Sequence, residues 1–431
     1  MLGGGVFTKQ NKVLPGAYIN FVSAAARGDK TVKGVVCVPM ESGWGPERKV
    51  MKVDKDSFED NCLRLLGYPV SAPEMQAFRE MFLNANEVYV FRINSEGVKA
   101  SNDLAEARYA GTRGNAVRLV VQKNVEDDTK FDVRTLVGTD LVDAQTATAM
   151  SELADNDFVS FKREAALTET AGMPLTGGTD GAVSGEAYQE FLNAIEQKPF
   201  NVLVCPTKDE STVNLFAAFT KRMREELGVR FQTIAYRASR VDYEGVISVE
   251  NSASENEAGL VYWVAGASAA CAVNKSNTNK VYDGEYTVNV AYTQMQLSDG
   301  IKEGKFLLHQ VGDEVRVLRD INSLVSFTED KNSDFSDNQT IRVLDFIGNG
   351  IASLFAERFM GQVPNDASGR ISLWNEIVTF YKSLAAQRAI EAVEPKAITV
   401  EGGGTKRSVL VNAPVQPTNC MDQLYMTVVV E

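Results

Sequence analysis

Residues 202–206 read Val202-Leu-Val-Cys-Pro206, an apolar, β-branched run cut off by a proline. A run with no polar alternate reads as a strand covered on both faces. Directly after it, Leu215, Phe216, Phe219, Met223 and Leu227 recur at helical spacing, and residues 230–236 and 246–249 return to strand character. Strand, helix and strand in succession predict a mostly parallel sheet with helices on both sides.

The same alternation extends outward. Upstream, residues 186–195 predict a helix, and residues 34–38 a buried strand closed by Pro39. Phe58, Cys62, Leu65 and Leu66 form a helical stripe stopped by Gly67, and Pro73 opens a second helix carrying Met75, Phe78 and Phe82. Residues 87–93 then return as a strand. Between 95 and 170 the pattern changes to short strands (117–122, 130–137, 139–144 and 158–162) with charged turns, a β-rich insertion. Downstream, residues 259–273 form a short apolar stretch around Trp263, below the roughly 20 residues of a membrane span and read as a buried helix. Two striped helices follow, one with Leu344, Ile347, Ile351, Leu354 and Phe355, the other with Ile371, Trp374, Val378, Tyr381 and Leu384. A hairpin over 397–411 turns at Gly402-Gly-Gly404. The expected organisation is α/β plus α+β and multidomain. It comprises an arm (1–25), a small α/β part (26–94), the β-rich insertion (95–170), an α/β domain with a doubly covered sheet (171–340), an α+β unit (341–412) and a second arm (413–431).

Charge is unevenly placed. The chain of 431 residues carries a net charge of −13. Residues 1–50 are net +4 and residues 341–431 net −1, which leaves −16 for the middle. So acidic a middle makes nucleic acid a poor partner. If the two chain ends fold together, they form a near-neutral unit bearing an acidic insertion.

Chemistry is scarce. A single histidine, His309, in a strand-like run, removes most metal and acid–base catalysis. No G-x-S-x-G elbow accompanies it. The glycine-rich Leu175-Thr-Gly-Gly-Thr-Asp-Gly181 lacks the lysine and hydroxyl of a phosphate loop and reads as a turn between domains. The Asp/Asn-rich run 332–338 lacks the glycine and terminal glutamate of a calcium loop. Five scattered cysteines without a C-x-x-C spacing predict reduced core thiols. The expectation is no catalytic residue, no cofactor and no metal, in a soluble chain made in a cytoplasm with no membrane insertion.

The two ends carry strands without partners. Residues 424–430 are β-formers behind Pro414 and Pro417, with nothing downstream to pair with. Residues 17–22 are a second short strand behind Pro15-Gly16. Such strands either return to their own sheet or add to the edge of another copy. The second outcome makes Ala17, Tyr18, Ile19, Phe21, Val22, Leu424, Tyr425, Thr427, Val428 and Val429 intersubunit residues, with Ile398, Val400, Val409 and Val411 of the hairpin as the accepting edge.

Several segments, in order along nearly the whole chain, carry a family resemblance. They are Leu14-Pro-Gly-Ala-Tyr18, Gly43-Trp-Gly-Pro46, Tyr109-Ala-Gly-Thr-Arg-Gly-Asn115, residues 175–181, Asp242-Tyr-Glu-Gly-Val-Ile247 and Trp263-Val-Ala-Gly266. Asp320-Ile-Asn-Ser-Leu324, Arg342-Val-Leu-Asp345, Gly361-Gln-Val-Pro-Asn365, Val415-Gln-Pro417 and Leu424-Tyr-Met-Thr427 continue the series. The chain resembles the contractile tail sheath proteins of myovirus-like phages, prophages and R-type bacteriocins.

That resemblance implies a structural subunit of a phage tail or tail-like particle. Its copies stack as a helix around an inner tail tube protein, meet baseplate and tail terminator proteins, and contract to drive the tube through an envelope. It places the chain ends, with residues 26–94, near the tube and the acidic middle outside. It also makes Arg358, Arg370, Lys382 and Arg388 the cations within reach of the tube. The competing reading is a cytoplasmic α/β hydrolase-like enzyme whose terminal strands are ordinary edges.

Overall fold

The computed structural model describes residues 34–430, together with the backbone of Gly4–Gly5 and Ala17–Tyr18. Its centre is a seven-stranded sheet in the order Lys305–Phe306, Val246–Val249, Gln232–Tyr236, Val202–Cys205, Val35–Met40, Glu87–Arg92, Val50–Asp54. All neighbours are parallel except the last pair, which is antiparallel. Strand alternation divides the side chains between two cores. Val36, Val38, Val202, Val204, Ile234 and Ile247 face one core; Val35, Cys37, Leu203, Cys205 and Ala235 face the other.

Helices cover both sides. Helix α1 (Lys55–Leu66) is N-capped by Asp54, whose carboxylate accepts from Ser57 N at 2.9 Å, and stops at Gly67 in the left-handed region (φ 80°). Helix α2 (Gln76–Phe82) follows a single 3₁₀ turn that begins at Pro73. On the opposite face lie α3 (Ala187–Ile195) and α4 (Glu210–Glu225), whose Phe191, Phe216 and Phe219 fill the second core. Helix α5 (Leu260–Ala270) is buried on all sides, as its uninterrupted apolar sequence requires. It lies against α2 so closely that a Cβ on Gly266 would come 2.4 Å from the Met81 carbonyl oxygen. The short helix α6 (Gln294–Lys302) opens with a capping box between Thr293 and Gln296.

One expectation is corrected here. The small α/β part assigned to residues 26–94 is not a separate piece placed with the chain ends. Val35–Met40 lies mid-sheet, with Val36 opposite Val202 and Cys37 opposite Leu203, so its described residues belong to the same unit as 182–323. A parallel strand covered on both faces is stable only inside such a sheet.

The β-rich insertion forms a four-stranded antiparallel sheet (Asp140–Ala147, Phe131–Val137, Val117–Lys123, Thr170–Pro174) and a small pair, Ala105–Ala107 with Val159–Phe161. Three sequence motifs meet where the chain enters and leaves it. Arg92, 4% exposed, donates to the carbonyls of Gly45 (3.0 Å), Ala110 (2.7 Å) and Asp180 (3.1 Å). Asn115 exchanges two bonds with Gly178, and the Asp180 carboxylate accepts from Thr112. A Cβ on Gly178 would stand 2.4 Å from the Gly111 oxygen, so the glycine run serves close chain crossing.

Helices α7 (Asn338–Arg358) and α8 (Ala367–Ala386) form a third core through Val343, Phe346, Leu373, Ile377, Val378, Tyr381 and Leu384. Two buried ion pairs join α7 to the sheet unit. Arg224 grips Asp345 with two nitrogens at 2.6 and 2.8 Å, and Arg342 meets Asp320 at 2.7 Å. One helical turn apart, they fix the first half of α7 in place.

Candidate assembly interface

The candidate surface is built on α8. Strands Thr399–Gly402 and Val409–Asn412 make a two-stranded hairpin, with Val400 opposite Val411 and Gly402 opposite Val409. Trp374 on α8 donates from Nε1 to the Ile398 carbonyl at 2.9 Å and anchors the first strand. Ile398 is 3% exposed, and Val400 and Val409 are half-buried against the same core. The other face carries Leu410, 61% exposed, beside Thr399, Glu401 and Asn412. Ile398, Val400 and Val409 therefore hold the hairpin to its own subunit through their side chains. Only the backbone edge, Leu410 and Val411 remain open.

Beyond the hairpin the chain runs back along its own subunit. Glu391 N donates to Gln416 O, Thr418 N to Ala389 O, and Gln339 Nε2 to Thr418 O. Cys420 N donates to Gln339 Oε1 at 2.9 Å, and Arg319 meets Asp422 at 3.4 Å. Among the described residues, no hydrogen bond or ion pair ties the chain after Asp422 to the rest of the subunit. Leu424, Tyr425, Met426, Val428, Val429 and Val430 are between 70% and 90% exposed, and Thr427 is exposed with them. Residues 424–430 pair with no strand of their own chain among the described residues. Soluble surfaces scatter single apolar side chains, but six within seven residues form a sticky segment. At the other end, Ala17–Tyr18 pairs in parallel with Gly4–Gly5, and Ile19, Phe21 and Val22 lie outside the described residues.

The four cations proposed to reach a tube differ in their surroundings. Arg358 is paired with Glu376 at 2.7 Å, and Arg370 donates to the Asn365 carbonyl and side chain at 3.2 and 3.0 Å. Lys382 and Arg388 are exposed, and neither forms an ion pair among the described residues. The structure also adds a groove that sequence reading missed. Phe355, Phe359, Met360, Val363, Leu373 and Val409 line it, with Lys406 and Arg407 at its rim. Met360 and Val363 lie past the helical stripe, so periodicity alone does not flag them.

His309 sits opposite Arg316 in the hairpin of Leu308–Val311 and Glu314–Val317, and burial lowers its pKa. Among the described residues no cluster of His, Cys, Asp and Glu could hold a metal ion, and no helix is long and apolar enough to cross a membrane.

Comparison with known proteins assigns this architecture from residue 95 onward. Residues 95–180 match the phage tail sheath protein beta-sandwich domain, residues 181–323 the phage tail sheath protein central domain, and residues 330–431 the phage tail sheath C-terminal domain. The phage-like element PBSX protein XkdK of Bacillus subtilis is 31% identical to this chain, the match covering 99% of each. The chain belongs to the phage tail sheath protein family. This family is structural, not enzymatic. A sheath tail protein from Desulfitobacterium hafniense superposes with a TM-score of 0.81 at 35% identity, covering 93% of this sheath chain and 96% of that one. One from Listeria innocua gives 0.79 at 31% identity over 91% and 94%. The helical sheath of the anti-feeding prophage in its contracted state shares the fold at 12% identity, with a TM-score of 0.55 over 97% and 99% of the two chains.

Proposed function

We propose that this protein is the subunit of a contractile tail sheath that polymerises by lending its terminal strands to neighbouring copies. The observation that carries the reading is the presence on one molecule of both an exposed apolar segment, residues 424–430, and an open hairpin edge that it does not join. A donor strand and an acceptor edge on one chain that do not satisfy each other suit head-to-tail association, which continues indefinitely unless it closes. Residues 17–22 are the second donor. The polymer encloses an inner tube and ends on baseplate and terminator proteins, in a phage tail or a headless bacteriocin-like particle. Contraction releases a kinetically trapped extended array, with the strand links acting as hinges. The near-neutral 341–431 unit faces the tube, and the acidic sheet and sandwich units face outward.

Deleting residues 424–431 tests this. The backbone bonds lost are all between subunits, so the variant is expected to stay soluble with an unchanged circular dichroism spectrum and to form no sheaths by electron microscopy. Full-length sheaths from the truncated chain would remove the linking role.

A further inference from the structure

Three of the five thiols are sealed in the cores: Cys37 is fully buried, burial pushes Cys205 up to about 12, and Cys62 is pushed up to about 11 by the same cause. The other two meet outside them, at the root of the C-terminal tail. Cys271 is the half-buried residue that ends α5, and its thiol donates to the Lys275 carbonyl at 3.5 Å. Cys420 is exposed, two residues before the last tie of the tail, and its thiol donates to the Asn274 carbonyl at 3.6 Å. Two thiols 149 positions apart in sequence thus sit on consecutive carbonyls of one turn.

A cation accompanies them. Arg342 Nη2 donates to the same Lys275 carbonyl at 3.1 Å, while its Nε and Nη1 are buried without a hydrogen-bond partner. Burial raises the Cys271 thiol on balance, and the Arg342 guanidinium offsets only part of that rise. The thiolate is the form that attacks disulfides.

We propose that Cys271 and Cys420 form a redox pair that closes to a disulfide on contact with a small-molecule disulfide such as oxidised glutathione, fixing the root of the tail to the sheet unit. Exposure sets the order of events. The Cys420 thiolate attacks a sulfur of oxidised glutathione, forms a mixed disulfide and expels one glutathione thiolate. The Cys271 thiolate then attacks the Cys420 sulfur, the protein disulfide forms, and the second glutathione thiolate leaves. The two protons from the cysteines end on the two glutathione thiols. Residues 423–430 lie beyond the bridge and stay free to reach a neighbour. Cytosol keeps such a pair open, and an oxidising exterior closes it.

The full-length protein, incubated with oxidised glutathione and mapped by mass spectrometry without reduction, tests the pair. The expected product is a peptide joining Cys271 to Cys420, two hydrogens lighter than the sum of its parts and reversed by dithiothreitol. In Cys271→Ser the reaction is expected to halt at a glutathione adduct on Cys420. In Cys420→Ser, Cys271 is expected to stay unmodified. A persistent Cys420 adduct in the unsubstituted protein, with no cross-link, would overturn the pairing, as would links to Cys37, Cys62 or Cys205.

Discussion

The seven-stranded sheet and the hairpin at Thr399–Gly402 and Val409–Asn412 are both β-structure, but they are finished to different degrees. In the sheet, side chains leave both faces into closed cores, and α5 is sealed on every side. In the hairpin, one face rests on α8, the other shows Leu410, and residues 424–430 after it leave six large apolar side chains exposed. The sheet satisfies itself; the hairpin edge and residues 424–430 are left exposed and without a strand partner among the described residues. On the proposed reading, such a protein can lose assembly without losing its fold.

That contrast can be broken most forcefully at Trp263. It is fully buried and donates from Nε1 to Asp283 at 2.7 Å. Trp263→Ala is expected to cost about 3–5 kcal/mol in denaturant unfolding, because it opens a cavity in the core. A loss below about 1 kcal/mol would mean that the sheet unit is less tightly specified than its burial suggests.

Acid probes the seam between the two regions. Burial pushes Asp320 up, but Arg342 and the donors Asn277 N and Asn338 Nδ2 outweigh it and hold the carboxyl below its usual range. A carboxyl depressed in the folded state stabilises the protein fully above its unfolded pKa of about 3.9, and that contribution is lost as pH falls through the folded value. Thermal melts from pH 6 downward should therefore steepen below about pH 4, by up to about 1.4 kcal/mol per pH unit from this group. In Asp320→Asn, starting from lower stability, that steepening should be reduced. An unchanged acid limb would assign it to other carboxylates.

Leu410→Ser touches the hairpin's open face. Its expected cost in stability is under about 0.5 kcal/mol, whereas sheath yield by sedimentation should fall. A variant that assembles normally would move the acceptor surface off this face. The smallest effect is expected from Lys382→Glu with Arg388→Glu. Exposed pairs are worth about 0–1 kcal/mol each, so assembly on the tube should weaken while tube-free polymerisation survives. Normal yields of tube-filled particles would make both ordinary surface charges.

What sequence could and could not show follows the same division. The alternation through residues 202–249 revealed the parallel sheet because apolar periodicity is local. The place of Val35–Met40 between Val202–Cys205 and Glu87–Arg92 was hidden, since parallel register depends on residues far apart in the chain. The strand Val50–Asp54 was missed as well: it is only five residues long and pairs, antiparallel, with the distant Glu87–Arg92. The first half of α7 escaped as well: Asn338, Gln339 and Thr340 are polar but buried, and partners as remote as Asp320, Thr418 and Asn419 satisfy them. The exposed tail was legible because β-formers with nothing to pair with are visible as such. The intramolecular partners of Arg358 and Arg370 were not, since Glu376 and Asn365 meet them only in three dimensions.

The tie between Arg319 and Asp422 also acts as a ruler. From Gln423 to the end of the proposed donor strand at Val430 is eight residues. Fully extended, such a segment spans about 26–29 Å. A copy that takes up this tail must keep its acceptor edge within that radius of Asp422, however the array rotates or shortens. If the tail links subunits as proposed, the leash sets an upper bound on how far they can part, and lengthening it with inserted glycines should widen the spacing that the lattice tolerates.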